Sequence, residues 1–222
     1  ADGFRNETQI VTTVLGADQE NQHDVLSINA ASAALMISGI PFDGPLGAVR
    51  MAYSQDGSWV PHPTYQEVED GTFEIVVAGR ELDTGDVAVM MVEAGGTEKS
   101  FYYYEDGAPK VDEAVLAEAL EACKVWIKES IALQRQLVAS VIATHGPIEP
   151  LPFNPVIDYS PEVFVAVEGL VTDEIAEAVK IAGKHERNAA TDAASAKAVE
   201  TLCGEGAEFE GQEKQVKEAV RS

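Results

Sequence analysis

Residues 21–39, NQHDVLSINAASAALMISG, pass from a polar loop into a run of small and apolar residues closed by Gly39. The polar end offers His23 and Asp24 as chemistry, while the Ala- and Ser-rich end reads as a helix that approaches its neighbours closely. Asn29 is a residue type that caps helix N-termini and Gly39 one that ends them, so the expected helix starts near Asn29, after a short VLSI segment. Upstream, residues 8–15, TQIVTTVL, are rich in β-branched side chains and are followed by the turn-forming GADQENQ, which predicts a strand.

Downstream, the pair Asp56-Gly57 between AVRMAYS and SWVPHP predicts a hairpin. TFEIVVAGRE and DVAVMMVEAGG read as two further strands joined by the turn LDTGD. Both are apolar over several consecutive positions, as strands covered on two faces are. From about residue 111 to 143, Leu116, Leu120, Cys123, Ile127, Ile131, Val138 and Val141 recur at helical spacing, which predicts one long amphipathic helix able to cover a sheet. The run HGPIEPLPFNPVIDYSP, with five prolines, excludes regular helix or central strand and marks a domain boundary, giving domains 1–146 and 147–222. Beyond it the sequence is helical, with interruptions expected at Gly183 and at Thr191-Asp192, an acidic loop CGEGAEFEGQ, and the start of another helix. The fold class is therefore α+β followed by a small all-α domain, and both chain ends read as cut, as in a fragment.

With 15 basic against 38 acidic residues, the formal charge of −23 opposes any broad electrostatic footprint for phosphate backbones, so a nucleic-acid contact has to be local. Lys180, Lys184, His185 and Arg187 form the one notable basic cluster and are the candidate RNA contacts, although cations near a helix C-terminus account for them nearly as well. No run approaches the roughly 20 apolar residues that a membrane helix needs, which points to a cytoplasmic protein without a membrane partner. Cys123 and Cys203 have neither the pairing nor the spacing of a zinc site or disulfide framework. Asp18, Glu20 and Asp24 could together face a cation, but lack the spacing of a calcium loop. Glu67, Glu69, Asp70 and Glu74 form the kind of grouping that a chain this acidic produces by chance. The four histidines lie in unlike contexts, no nucleophile sits in an elbow motif, and FDGPLGAV and EAGGTEK lack the Lys-Ser/Thr ending of a phosphate loop. No catalytic residue and no metal ligand is assigned.

The motif order says more than the residues taken singly. Residues 3–53, GFRNETQIVTTVLGADQENQHDVLSINAASAALMISGIPFDGPLGAVRMAY, closely resemble the first RNase PH-like domain of bacterial polynucleotide phosphorylases. VVAGRE, VMMVEAGG and the long helix fit the rest of that domain, and EAVKIAGKHERNAATDA resembles the entry to the family's all-helical domain. The resemblance implies the RNase PH-like fold (ribosomal protein S5 domain 2-like), here without its N-terminal part. It also implies a magnesium-dependent, phosphate-driven 3′-to-5′ exoribonuclease of mRNA degradation, a reversible nucleotidyltransferase releasing nucleoside diphosphates. Its implied partners are RNA, inorganic phosphate, two further copies in a ring-shaped homotrimer, and degradosome-type proteins.

The family's chemistry belongs to its second RNase PH-like half, whose Asp-Met-Asp-Phe-Lys-Val-Ala-Gly motif corresponds here to GTFEIVVAG. Aligned on Val77-Ala78-Gly79, Glu74 replaces one metal-binding Asp, Val76 replaces the Lys, and the other metal-binding Asp of the family, upstream of the quoted motif, falls at Val68. The family's Phe-Phe-Arg-Arg loop, KH domain and oligonucleotide-binding barrel also have no counterpart here. The segment is thus expected to be scaffold, trimer wall and RNA path, to bind no magnesium, and to be inactive alone. Two alternatives stand beside this: a non-catalytic RNA-binding or assembly module, and a member of the bifunctional guanosine pentaphosphate synthetase subset.

Overall fold

A computed structural model of the chain describes residues 3–222; Ala1 and Asp2 of the expected first domain lie outside the described residues. The element order is α1 (Asp24–Met36), β1 (Leu46–Tyr53), β2 (Trp59–Pro61), α2 (Tyr65–Glu69), β3 (Phe73–Glu81), β4 (Val87–Gly96), α3 (Ser100–Glu105), α4 (Glu113–His145), α5 (Pro161–Ala178), α6 (Lys184–Cys203) and α7 (Glu213–Arg221). The architecture is α+β, with four antiparallel strands in the order β2-β1-β3-β4. The chain forms two compact units, one of Glu7–Pro152, the other of Phe153–Ser222 together with residues 3–6.

In the α/β unit the hairpin signal at Asp56-Gly57 holds: β1 pairs with β2 across a turn closed by Ser54 N–H to the Ser58 carbonyl at 2.9 Å. β1 then pairs with β3 over its full length, from Leu46 opposite Arg80 to Tyr53 opposite Phe73. Strand alternation sends Val49, Met51, Ile75 and Val77 to one face, where they bury against Ala119, Cys123, Ile127 and Ile131 of α4. The apolar stripe foreseen for the long helix is this contact. Gly47 shows how closely α4 comes, because a Cβ there would stand 2.5 Å from the Ile127 carbonyl oxygen. Ala48, Val76 and Ala78, of opposite parity, pack with Val25 of α1. Asp112 caps α4, its Oδ1 accepting from Val115 N–H at 3.0 Å, and Gly146 ends it at a φ of 89°.

Three expectations are corrected in this unit. Residues 8–15 form no strand: they are exposed and make no backbone hydrogen bond to the rest of the described chain. β-propensity expresses fit to a neighbouring strand, and none lies beside them. α1 begins at Asp24, absorbing VLSI, so Asn29 is not its cap but sits mid-helix. β4 is not covered on two faces; it is an edge strand with Val89, Met90 and Val92 exposed.

The helical unit packs α5, α6 and α7 around Val163, Val167, Val171, Ala194, Ala198, Val216 and Ala219. Pro161 begins α5 behind the Ser160 cap, whose Oγ accepts from Val163 N–H at 3.4 Å. Gly183 does separate α5 from α6, whereas Thr191-Asp192 lies within α6 and interrupts nothing. The acidic loop after α6 is pinned by Phe209, 6% exposed among the core residues.

Candidate functional site

The α/β unit has a groove of about 540 Å³ between α1 and α4, beside the outer end of β1. Leu26, Ala30 and Ala33 form one wall, and Trp126, Leu133 and Leu137 the other. Its floor is polar. The Asn29 amide brackets Ala48, accepting from its N–H at 2.8 Å and donating to its carbonyl at 3.1 Å. Ser32 Oγ accepts from Leu46 N–H at 2.8 Å and donates to Gln134 Oε1 at 2.7 Å, while Gln134 Nε2 donates to the Leu46 carbonyl at 2.7 Å. β2 pairs with β1 only from Met51 to Tyr53, so these three side chains satisfy the backbone groups that the ladder leaves open.

Arg50, the lone charge in the core of β1, extends between two carboxylates, pairing through one nitrogen with Asp24 at the start of α1 and through another with Glu74 of β3. Its side chain is 16% exposed. Burial works against the guanidinium charge, but Asp24 and Glu74 outweigh it and hold the Arg50 pKa above its ordinary value. Burial likewise pushes Asp24 up, and the Val25 amide and Arg50 together bring it below the usual carboxylate range. Arg50 Nε is buried without a hydrogen-bond partner among the described residues.

Glu74 is engaged by Arg50, and the side chains of Val68 in α2 and Val76 in β3 offer no donor atom. Among the described residues no three His, Cys, Asp or Glu side chains group as a metal site.

Of the remaining acidic candidates, Asp18, Glu67, Glu69 and Asp70 are occupied by local structure. Asp18 accepts from the backbone N–H groups of Asn21 and Glu20 and from the Asn21 side chain, and these bonds lower its pKa to about 2. Thr64 and Glu67 make a capping box on α2, Glu69 pairs with Lys99 at 2.6 Å, and Asp70 accepts from Gln66 at 3.0 Å. His23 precedes α1 without a side-chain cap bond, His62 lies edge-on to Trp126 with ring centroids 5.5 Å apart, His145 ends α4, and His185 stands in the first turn of α6. They share no site. Burial pushes the Cys123 thiol up to about 11 and raises that of Cys203, so both are neutral thiols at ordinary pH.

In the helical unit, Lys180, Lys184 and Arg187 fall at the bend between α5 and α6. Lys180 pairs with Glu177 at 2.6 Å, and Arg187 donates to the carbonyls of Ile181 at 2.9 Å and Ala182 at 3.3 Å. Lys184 is exposed at the head of α6. Glu174 and Glu177 line a hollow at the same bend, and Glu177 is the partner of Lys180.

Sequence reasoning did not find the Asn29, Ser32 and Gln134 network or the role of Arg50. The available signals were a polar pair spaced three apart in an Ala-rich run and one arginine amid AVRMAY.

A family profile described as "Polyribonucleotide nucleotidyltransferase, RNA binding domain" matches residues 162–222, the bulk of the helical unit. Curated proteins named polyribonucleotide nucleotidyltransferase match along the entire sequence. That of Salinispora tropica is 48% identical over 220 residues, covering 99% of this chain and 27% of the relative. That of Acidothermus cellulolyticus is 46% identical with the same coverage. That of Nocardia farcinica is 44% identical over 229 residues, covering 100% of this chain and 29% of the relative. The chain thus spans less than a third of the length of these relatives.

Proposed function

Because the chain belongs to the polyribonucleotide nucleotidyltransferase family, we propose that it is the scaffold and RNA-path segment of a phosphate-dependent 3′-to-5′ exoribonuclease. The complete enzyme would use inorganic phosphate to release nucleoside diphosphates from RNA in mRNA degradation, and would run in reverse as a polymerase. The observation that carries this reading is identity of 42–48% to proteins of that name along practically the whole of this chain. Phosphoryl transfer of this kind depends on positioning and charge neutralisation rather than on a covalent enzyme intermediate. The Arg50 pair with Glu74 supports placing that chemistry outside this segment, since the carboxylate aligned with a catalytic ligand already holds a protein cation. Magnesium, the homotrimer, degradosome-type partners and the cytoplasmic location belong to the proposal for the complete protein.

Within the segment, the helical unit is the proposed RNA-contacting part, on the strength of the family description that its residues match. Lys180, Lys184 and Arg187 would make local contacts to phosphates, with Lys184 the most available of the three. The test is fluorescence anisotropy with single-stranded RNA as a function of salt. Lys184→Ala should weaken binding uniformly across RNA sequences and reduce the logarithmic salt slope by about 1. An unchanged affinity and slope would remove Lys184 from the interface. If RNA binds this chain while phosphorolysis is absent from a longer form carrying both RNase PH-like halves, the non-catalytic binding module becomes the correct reading.

A further inference from the structure

In the α/β unit one cation serves two carboxylates from separate elements. Arg50 lies on the sheet face that Val25 of α1 packs against, between Ala48 and Ala52 of β1. Glu74 stands diagonal to it in β3, because Arg50 is opposite Val76 and Ala52 is opposite Glu74. Asp24 reaches the same guanidinium from the first turn of α1. An arginine used for its planar fork gives a carboxylate two parallel N–H bonds. Here each carboxylate receives a single nitrogen, Nη1 for Glu74 and Nη2 for Asp24, and Nε is buried without a partner among the described residues. The guanidinium thus works as a charge shared between two carboxylate oxygens, the arrangement in which a bound divalent ion is held.

We propose that Arg50 is a resident cation: the junction of α1 with the sheet is a two-carboxylate cation position that the protein fills with its own guanidinium, and that accepts a divalent ion once the guanidinium is removed. Without Arg50, Asp24 and Glu74 would carry like charges side by side and partly out of water, so each stabilises the junction only through the arginine. Arg50 and Val25 also line the groove between α1 and α4, so the same charge holds that wall to the sheet without a metal ion. The inference extends the reading that Glu74 already holds a protein cation, and it stands whether or not the complete protein is a phosphorolytic enzyme.

Thermal unfolding of the 222-residue chain tests it, followed by circular dichroism in chelator, in millimolar calcium, and in sodium chloride of equal ionic strength. A chain of charge −23 collects cations generally, so the quantity read is each variant's gain from calcium beyond that of the native chain. Arg50→Met should lower the midpoint, and calcium should return part of the loss where sodium chloride does not. Arg50→Lys, which keeps a cation, should lose less and gain no more from calcium than the native chain. Glu74→Gln should lower the native midpoint, yet raise that of Arg50→Met in chelator and abolish its calcium gain. If Arg50→Met is unfolded in chelator, refolding on addition of calcium supports the proposal and failure to refold overturns it. A folded Arg50→Met chain with no extra gain from calcium also overturns it, as does a Glu74→Gln effect of the same sign with and without Arg50.

Discussion

The two units solve the burial problem with different materials. The α/β unit places large aliphatic side chains, Met51, Ile75, Ile127 and Ile131, between one long helix and a sheet, and closes the open end of β1 with the Asn29, Ser32 and Gln134 side chains. The helical unit relies on valines and alanines, with Ala194, Ala198 and Ala219 permitting close helix approach, and its comparable polar contact is a single one, Gln215 Oε1 of α7 accepting from the Ser160 N–H at the head of α5 at 2.9 Å. A core of large side chains is most sensitive to lost volume, and a core of small ones to added volume.

The strongest challenge to that contrast is Ile127→Ala. Ile127 is fully buried against Val49, Met51, Ile75 and Val77, and its truncation should destabilise the α/β unit by about 2–5 kcal/mol in a denaturant titration. A loss under about 1 kcal/mol would mean that the α4 contact is not the organising one. Next comes Ala198→Leu in the helical unit, where there is no room for three more carbons; a cost of about 1–3 kcal/mol is expected, read from helical circular dichroism on unfolding. Gln134→Ala follows, with about 1–3 kcal/mol lost, because the Leu46 carbonyl and the Ser32 hydroxyl would each lose a buried partner. The smallest effect is expected from His23→Ala, within about 0.5 kcal/mol, since His23 is exposed and makes no side-chain cap bond.

Much of this architecture is legible in the residues, and the exceptions share a cause. The hairpin at Asp56-Gly57, the strands around VVAGRE and VAVMM, and the 33-residue α4 follow from local turn chemistry and periodicity. Residues 8–15, Asn29 and β4 were misjudged where the outcome depends on a distant neighbour. A β-branched run needs an adjacent strand, an asparagine caps or bridges according to what lies beside it, and an apolar strand is buried only if something covers it. For the site, the alignment at Glu74 marked one place in the fold, but not that Arg50, 24 residues earlier, reaches its carboxylate. The bend holding Lys180, Lys184 and Arg187 was visible as charge, whereas the carbonyls that accept from Arg187 emerge only once α5 meets α6.

The central claim is that this segment supports phosphorolysis without performing it. The direct measurement is phosphate-dependent release of nucleoside diphosphates from poly(A), comparing the 222-residue chain with a longer form of the protein that carries the second RNase PH-like half. The account predicts no release above background from the segment and phosphate-dependent release from the longer form. Sustained, phosphate-dependent release by the segment alone would contradict it.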